Sequence, residues 1–155
     1  MRCPACGSPK NKVLESREVD EGLALRRRRH CLDCDSRFTT YERIEITHLL
    51  IVKKNGNRES YEREKLSRGI YRAFEKRPIP VENIELIISR IEQSLQSRDE
   101  SEVHRAVLGE LVMNELMQID PVAYVRFASV YRSFADIASF ERELTKIKRD
   151  QQKHK

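Results

Sequence analysis

The chain has 155 residues, enough for one ordinary domain or two small ones. Charged residues make up 35% and aromatics 6%, with no Trp, so any core is modest and mostly aliphatic. No run approaches the roughly 18 apolar residues of a membrane span, and the opening "MRCPACGSPK" lacks a secretory apolar segment, which points to a soluble cytoplasmic protein with no membrane partner.

The net charge is +5, but its placement says more than its total. Residues 1–45 hold ten Lys/Arg and eight Asp/Glu. Four thiolates on one divalent ion would cancel about two further charges and leave that segment near neutral. Much of the basic excess sits in the terminal "TKIKRDQQKHK", so affinity for nucleic acid has to come from local clustering.

In chain order, "NKVLESREV" and "LALRRRRHC" flank Asp20-Glu21-Gly22, which reads as a hairpin tip. "RFTTYERIEI" follows the second cysteine pair. These three short strands hold too little apolar material to fold unaided, and a bound metal would have to supply the missing stability. The character changes near Ile44. "ITHLLIVKK" is a strongly apolar strand, Asn55-Gly56-Asn57 a turn and "RESY" a return strand.

Helices follow. The first carries Leu66, Ile70, Ala73 and Phe74 and stops before Pro78 and Pro80. Ile84, Ile87, Ile88, Ile91 and Leu95 form the apolar stripe of the second, and Val103, Val107, Leu108, Leu111 and Val112 that of the third. Asp120 is an N-cap before Pro121 and opens a helix through "VAYVRFASVYRSF". A last amphipathic helix carries Ile137, Phe140, Leu144 and Ile147, and the terminal "RDQQKHK" is expected to fray. The predicted architecture is α+β. It has a small three-stranded zinc module over 1–46, a helical bundle capped by a short sheet over 47–140, and a helix end with tail over 141–155.

Cys3-Pro-Ala-Cys6 and Cys31-Leu-Asp-Cys34 are two C-x2-C turns separated by 24 residues. Each turn can present two sulfurs to one ion, and the intervening hairpin brings the turns together. Four thiolates make the tetrahedral soft-ligand set that zinc prefers, and the long gap fits a zinc ribbon better than a finger. Gly7 eases the tight knuckle after Cys6. The competing readings are unrelated buried cysteines or two redox pairs, and His30 could stand in for a cysteine. Four cysteines leave no open position for a catalytic water, so the zinc is expected to be structural.

Arg26, Arg27, Arg28 and Arg29 run straight into this site. On a strand, Arg26 and Arg28 point one way and Arg27 and Arg29 the other, with Arg17, Arg37 and Arg2 able to join a face. Holding guanidinium groups together on a stiff frame costs Coulomb repulsion that a polyanion such as duplex DNA removes, releasing counterions. Arginine also forks onto phosphate or guanine edges as lysine cannot. The bland alternative is a solvated charge run balanced by Glu15, Glu18, Glu21 and Asp33.

In "IVKKNG" and "RESYEREKL", Lys53, Lys54 and Lys65 can converge on phosphates, and Gly56 lets the turn backbone approach a ligand. No G-x-x-x-x-G-K-[ST] loop occurs, so nucleotide hydrolysis is not expected.

"MRCPACG", "RRRRHCLDCDSRFTTYE" and "AYVRFASVYRSF" together resemble the NrdR family, bacterial repressors of ribonucleotide reductase genes. The resemblance extends to about Phe140. It implies a DNA-binding zinc ribbon over 1–46 joined to an ATP-cone over 47–140, in a bacterial cytoplasmic homo-oligomer. The ribbon would bind operator DNA upstream of ribonucleotide reductase genes through Arg17, Arg26, Arg27, Arg28, Arg29 and Arg37. The cone would bind ATP or dATP and set the oligomeric state. Its "V-K-R-D-G" pattern falls on Val52, Lys53, Lys54, Asn55 and Gly56, departing at Lys54 and Asn55. The same resemblance assigns Lys65, Glu59 and His104 to the nucleotide, and Tyr124 and Tyr131 to stacking on or bonding to adenine. From the residues alone, the two tyrosines are seven apart on one helical face and could equally be core.

Two other functions stay open at this point. One is a nucleotide-using enzyme, which lacks an uncommitted nucleophile. The other is a zinc-braced protein-interaction module. "FERELTKI" is a candidate subunit contact or the bundle's own seam.

Overall fold

The computed structural model describes residues 1–153, with side chains through residue 149. Two compact units divide the chain, Met1–Glu45 and Ile46–Lys155, and each is taken by itself. The fold is α+β, with a strand-built ribbon and a helical unit that carries its own small sheet.

In the first unit, β1 (Asn11–Val19), β2 (Ala24–Cys31) and β3 (Arg37–Arg43) form an antiparallel sheet in that order. Asp20, Glu21 and Gly22 turn the hairpin tip, all with positive φ, the Gly at +89°. A bulge at Leu14 shifts the register of β1 against β2. The buried apolar side chains of this unit are Cys3, Ala24 and Cys31, so two of the three bring sulfur rather than hydrocarbon. β3 ends at Arg43, three residues short of the predicted strand, because nothing pairs with Ile44–Ile46.

In the second unit, β4 (Leu50–Val52) lies between β5 (Arg58–Ser60), antiparallel, and β6 (Glu102–His104), parallel. The helices are α1 (Arg63–Ala73), α2 (Val81–Gln96), α3 (Arg105–Ile119), α4 (Pro121–Tyr131) and α5 (Ile137–Lys153). Val103, expected on the third helix, sits instead in β6 opposite Ile51. Its burial there comes from sheet pairing, and α3 begins two residues later. The core is aliphatic, with Ile70, Ile87, Ile88 and Leu116 fully buried.

Local chemistry sets the helix ends. The Asp120 carboxylate accepts from Val122 N and Ala123 N, both at 2.9 Å, with Pro121 at the first helical position. The same carboxylate takes Arg77 Nε at 2.9 Å, tying the α1–α2 turn to the start of α4. "FERELTKI" supplies the bundle's own seam: Ile147 lies in the core, Leu144 packs against it and Glu143 is buried. The helix that was expected to fray from Arg149 continues through Lys153, and residues 154 and 155 lie outside the described ones.

Candidate metal centre, arginine face and nucleotide cavity

The two cysteine turns are built alike. Cys3 N donates to Ser8 O at 2.8 Å, and Cys31 N donates to Ser36 O at 2.9 Å. Both knuckles then aim their sulfurs inward, and all four Sγ atoms lie within 4.8 Å of one another. Cys3 and Cys34 sulfurs are 3.7 Å apart, and those of Cys6 and Cys31 are 3.6 Å apart. A tetrahedron with zinc–sulfur bonds of about 2.3 Å has edges of about 3.8 Å, so the donor set fits one zinc ion.

The thiols of Cys3, Cys6 and Cys34 differ in acidity. The Ser36 hydroxyl lowers Cys3 to about 6 and holds Cys34 below the ordinary thiol range. At Cys6 a bond from the Ser8 backbone favours the thiolate, but the neighbouring thiols and burial outweigh it and push the group up to about 12. Four sulfurs this close cannot all ionise unless a positive ion sits among them. His30 is not part of the cluster; its Nε2 lies 3.1 Å from Asp35 Oδ1.

The sheet register sorts the arginines. One face carries the cross-strand rows Lys12–His30–Arg37, Glu15–Arg28–Thr39 and Arg17–Arg26–Tyr41. The opposite face carries Val13–Arg29–Phe38 and Ser16–Arg27–Thr40. On that second face the guanidinium groups are engaged. Glu42 Oε1 is 2.9 Å from Arg27 Nη1 and 3.6 Å from Arg29 Nη2. Arg29 also donates to Thr40 Oγ1 at 3.0 Å and Asn11 Oδ1 at 3.1 Å, leaving its side chain 14% exposed. Arg17, Arg26, Arg28 and Arg37 have no acidic partner among the described residues. The ring of Tyr41 is half-exposed, with the Arg43 guanidinium 4.9 Å from its centroid.

In the second unit a cavity of about 860 Å³ opens beside the small sheet. Its size falls in the roughly 300–1,000 Å³ range of small-molecule sites. Lys53 at the end of β4, Glu59 on β5 and Lys65 on α1 line one end. Glu59 Oε2 lies 2.7 Å from Lys53 Nζ and 3.5 Å from Lys65 Nζ, and Glu62 Oε1 lies 2.9 Å from the same Lys65. The Lys53 ammonium, with help from Lys65, holds the Glu59 carboxyl below its ordinary range.

Phe127 and Tyr131 stack along the wall with centroids 5.8 Å apart. Tyr131 Oη donates to Arg105 O at 3.1 Å and Ala106 O at 2.9 Å. Gly109 makes room for that ring, since a Cβ there would overlap it.

Lys53, Glu59, Lys65 and Tyr131 are thus brought together, whereas Val52, Lys54, Asn55, Gly56, His104 and Tyr124 do not line the cavity. Val52 is buried in β4, and Lys54, Asn55 and Gly56 form the exposed turn, closed by Gly56 N to Lys53 O at 2.9 Å. His104 ends β6 on the surface. Tyr124 is buried, with its hydroxyl donating to Glu143. Sequence reasoning missed Arg72, Lys76, Arg105, Arg126 and Phe127, which also line the cavity. Positions 65, 69 and 72 recur at helical spacing on α1, so part of this wall was visible in the sequence, whereas Lys76 reaches it from beyond the helix end. Arg126 is already engaged at the end of α1, donating to Ala73 O at 3.4 Å and to Glu75 O.

Residues 1–42 match the family model described as the N-terminal domain of NrdR-like transcriptional repressors, and residues 49–137 match the ATP cone domain. Three relatives named transcriptional repressor NrdR come from Streptococcus pneumoniae strains Hungary19A-6, ATCC 700669 / Spain 23F-1 and 70585. Each is 48% identical over 155 residues, covering 100% of this chain and 99% of the relative. Such relatives are regulators, which removes the enzyme reading, and among the described residues no helix is long and apolar enough to cross a membrane. The chain, a zinc ribbon followed by an ATP cone, belongs to the NrdR family of transcriptional repressors.

Proposed function

We propose that this chain is a nucleotide-responsive repressor of ribonucleotide reductase genes, acting in the bacterial cytoplasm as a homo-oligomer. Cys3, Cys6, Cys31 and Cys34 hold one structural zinc, and the ribbon's arginines bind operator DNA. The cone takes ATP or dATP, and the choice between them sets the assembly and hence the spacing of ribbons along the duplex. Such coupling requires that the two nucleotides differ in affinity for the assemblies.

One observation carries the reading. In a repressor-family chain, a cavity of nucleotide size joins the Lys53–Glu59–Lys65 cluster to the Phe127–Tyr131 wall. Ammonium groups suit phosphates, and aromatic faces suit a base.

The test is mass measurement with ATP, with dATP and with neither, alongside binding of a duplex from upstream of a ribonucleotide reductase gene. Different masses with different duplex affinities are expected, and Lys53→Ala and Lys65→Ala should each weaken binding of both nucleotides. One mass and one duplex affinity under all three conditions would overturn the regulatory claim. Unchanged nucleotide affinity in both variants would overturn the placement of the phosphates.

A further inference from the structure

We propose that duplex DNA is engaged by one face of the ribbon sheet only, the face carrying Arg17, Arg26, Arg28, Arg37 and Tyr41, while Arg27 and Arg29 serve as internal braces. This rests on the DNA-binding reading above and divides the arginine run that the sequence presents as one unit.

The division follows from what each guanidinium already touches. Arg27 and Arg29 converge on Glu42 Oε1, and Arg29 spends further donors on Thr40 and Asn11. Arg27 Nε is buried without a hydrogen-bond partner, so that atom is not open to an arriving phosphate. A phosphate arriving on that face would have to break existing charge-assisted bonds and would meet the Glu42 carboxylate, so little free energy remains to be gained. Glu18, paired opposite Leu25 on the same face, adds a second carboxylate.

The other face has the opposite balance. Arg17 and Arg26 are cross-strand partners, and like charges placed directly opposite destabilise a sheet. Arg28 faces Glu15 across the strands, the one carboxylate in the three central rows of that face. Lys12 and Arg37 continue the basic surface toward the cysteine end. Repulsion left unrelieved within the protein is relieved by an external polyanion, and each cation that meets a phosphate releases counterions. The bridging by Glu42 has a structural purpose on this view. It lets β2 carry four consecutive arginines without repulsion on both faces, and it fixes the pleat that presents Arg26 and Arg28 outward.

The experiment uses the full-length, zinc-loaded chain with the upstream duplex and with a random-sequence duplex, titrated over a series of salt concentrations. Arg26→Ala/Arg28→Ala is expected to reduce the magnitude of the slope of log K against log salt by about 1.8, at about 0.9 per phosphate contact. Arg27→Ala/Arg29→Ala is expected to keep the wild-type slope at one zinc per chain. Should that pair fail to fold, Glu42→Gln answers the same question, because it removes the carboxylate charge that holds both arginines and keeps the arginines themselves. Affinity within about threefold of wild type supports the assignment, since Glu42 then lies away from the phosphates. Tightening of about tenfold or more would place Glu42 in the interface and overturn it. Equal slope losses in both arginine pairs would overturn it too. A wild-type chain that binds neither duplex would overturn the DNA-binding reading and this one together.

Discussion

Gly109 shows how one missing methyl can shape a site. It lies on α3 where the Tyr131 ring crosses, and any Cβ would occupy the ring's space. Gly109→Ala should therefore displace Tyr131 from the carbonyls of Arg105 and Ala106 and cost about 1–3 kcal/mol, as overpacked cores do. Urea unfolding measures that cost. Combining the change with Tyr131→Ala should recover part of it, because the overlap disappears with the ring; a double variant no more stable than Gly109→Ala would count against the clash. Nothing in the sequence marks this glycine, since it sits mid-helix with an ordinary backbone. Cys3, Cys6, Cys31 and Cys34 are the opposite case: spacing alone named them, because a soft ion admits few ligand patterns.

At the scale of elements, Asp120 fastens α4 and the α1–α2 turn together. Burial works against its ionisation, but the Ala123 amide, Arg77 and the Val122 amide outweigh it and hold the carboxyl below the usual aspartate range. A carboxyl depressed in the folded state stabilises the fold above its unfolded pKa of about 3.9, and that contribution fades as pH drops through the folded value. Thermal melting from neutral to acid pH should accordingly fall less steeply in Asp120→Asn than in the wild type. The variant should also start lower, since a charged N-cap and an ion pair are both lost; parallel curves would remove Asp120 from the acid response. Asp120-Pro121 was readable as a helix start, whereas Arg77 was not, because a contact across 43 positions leaves no local pattern. Val103 was misplaced for a related reason. A three-residue strand is too short to show alternation, and only pairing with β4 makes it one.

For the molecule as a whole, the two units draw stability from different sources. The aliphatic cluster lies entirely within residues 49–147, and the ribbon's buried apolar residues are two cysteines and an alanine. Removing the metal with a chelator should abolish amide protection across 11–43 while leaving protection in α2 and α3 intact. Hydrogen exchange read by mass spectrometry distinguishes this from global unfolding, which would strip both regions at once. The α+β class was legible in the periodicity and turn residues, and the shortage of apolar residues in the first segment is what raises the expectation that an ion stabilises it. The division of the arginine run was not legible, because alternation assigns faces but cannot say which face meets its own carboxylates.

The cavity in the second unit already carries anions of its own. Glu59 bridges Lys53 and Lys65, and Glu62 shares the second lysine. A phosphorylated guest, as proposed above, would therefore be a rival to a carboxylate that the protein supplies itself, and filling the site would be an ion swap rather than an addition. On the proposed reading, a guest with one negative charge would gain little by such a trade, whereas a triphosphate would displace the resident group from both lysines. If nucleotide does fill this cavity, the unliganded cone would already sort guests by their number of charges, before any contact with base or sugar.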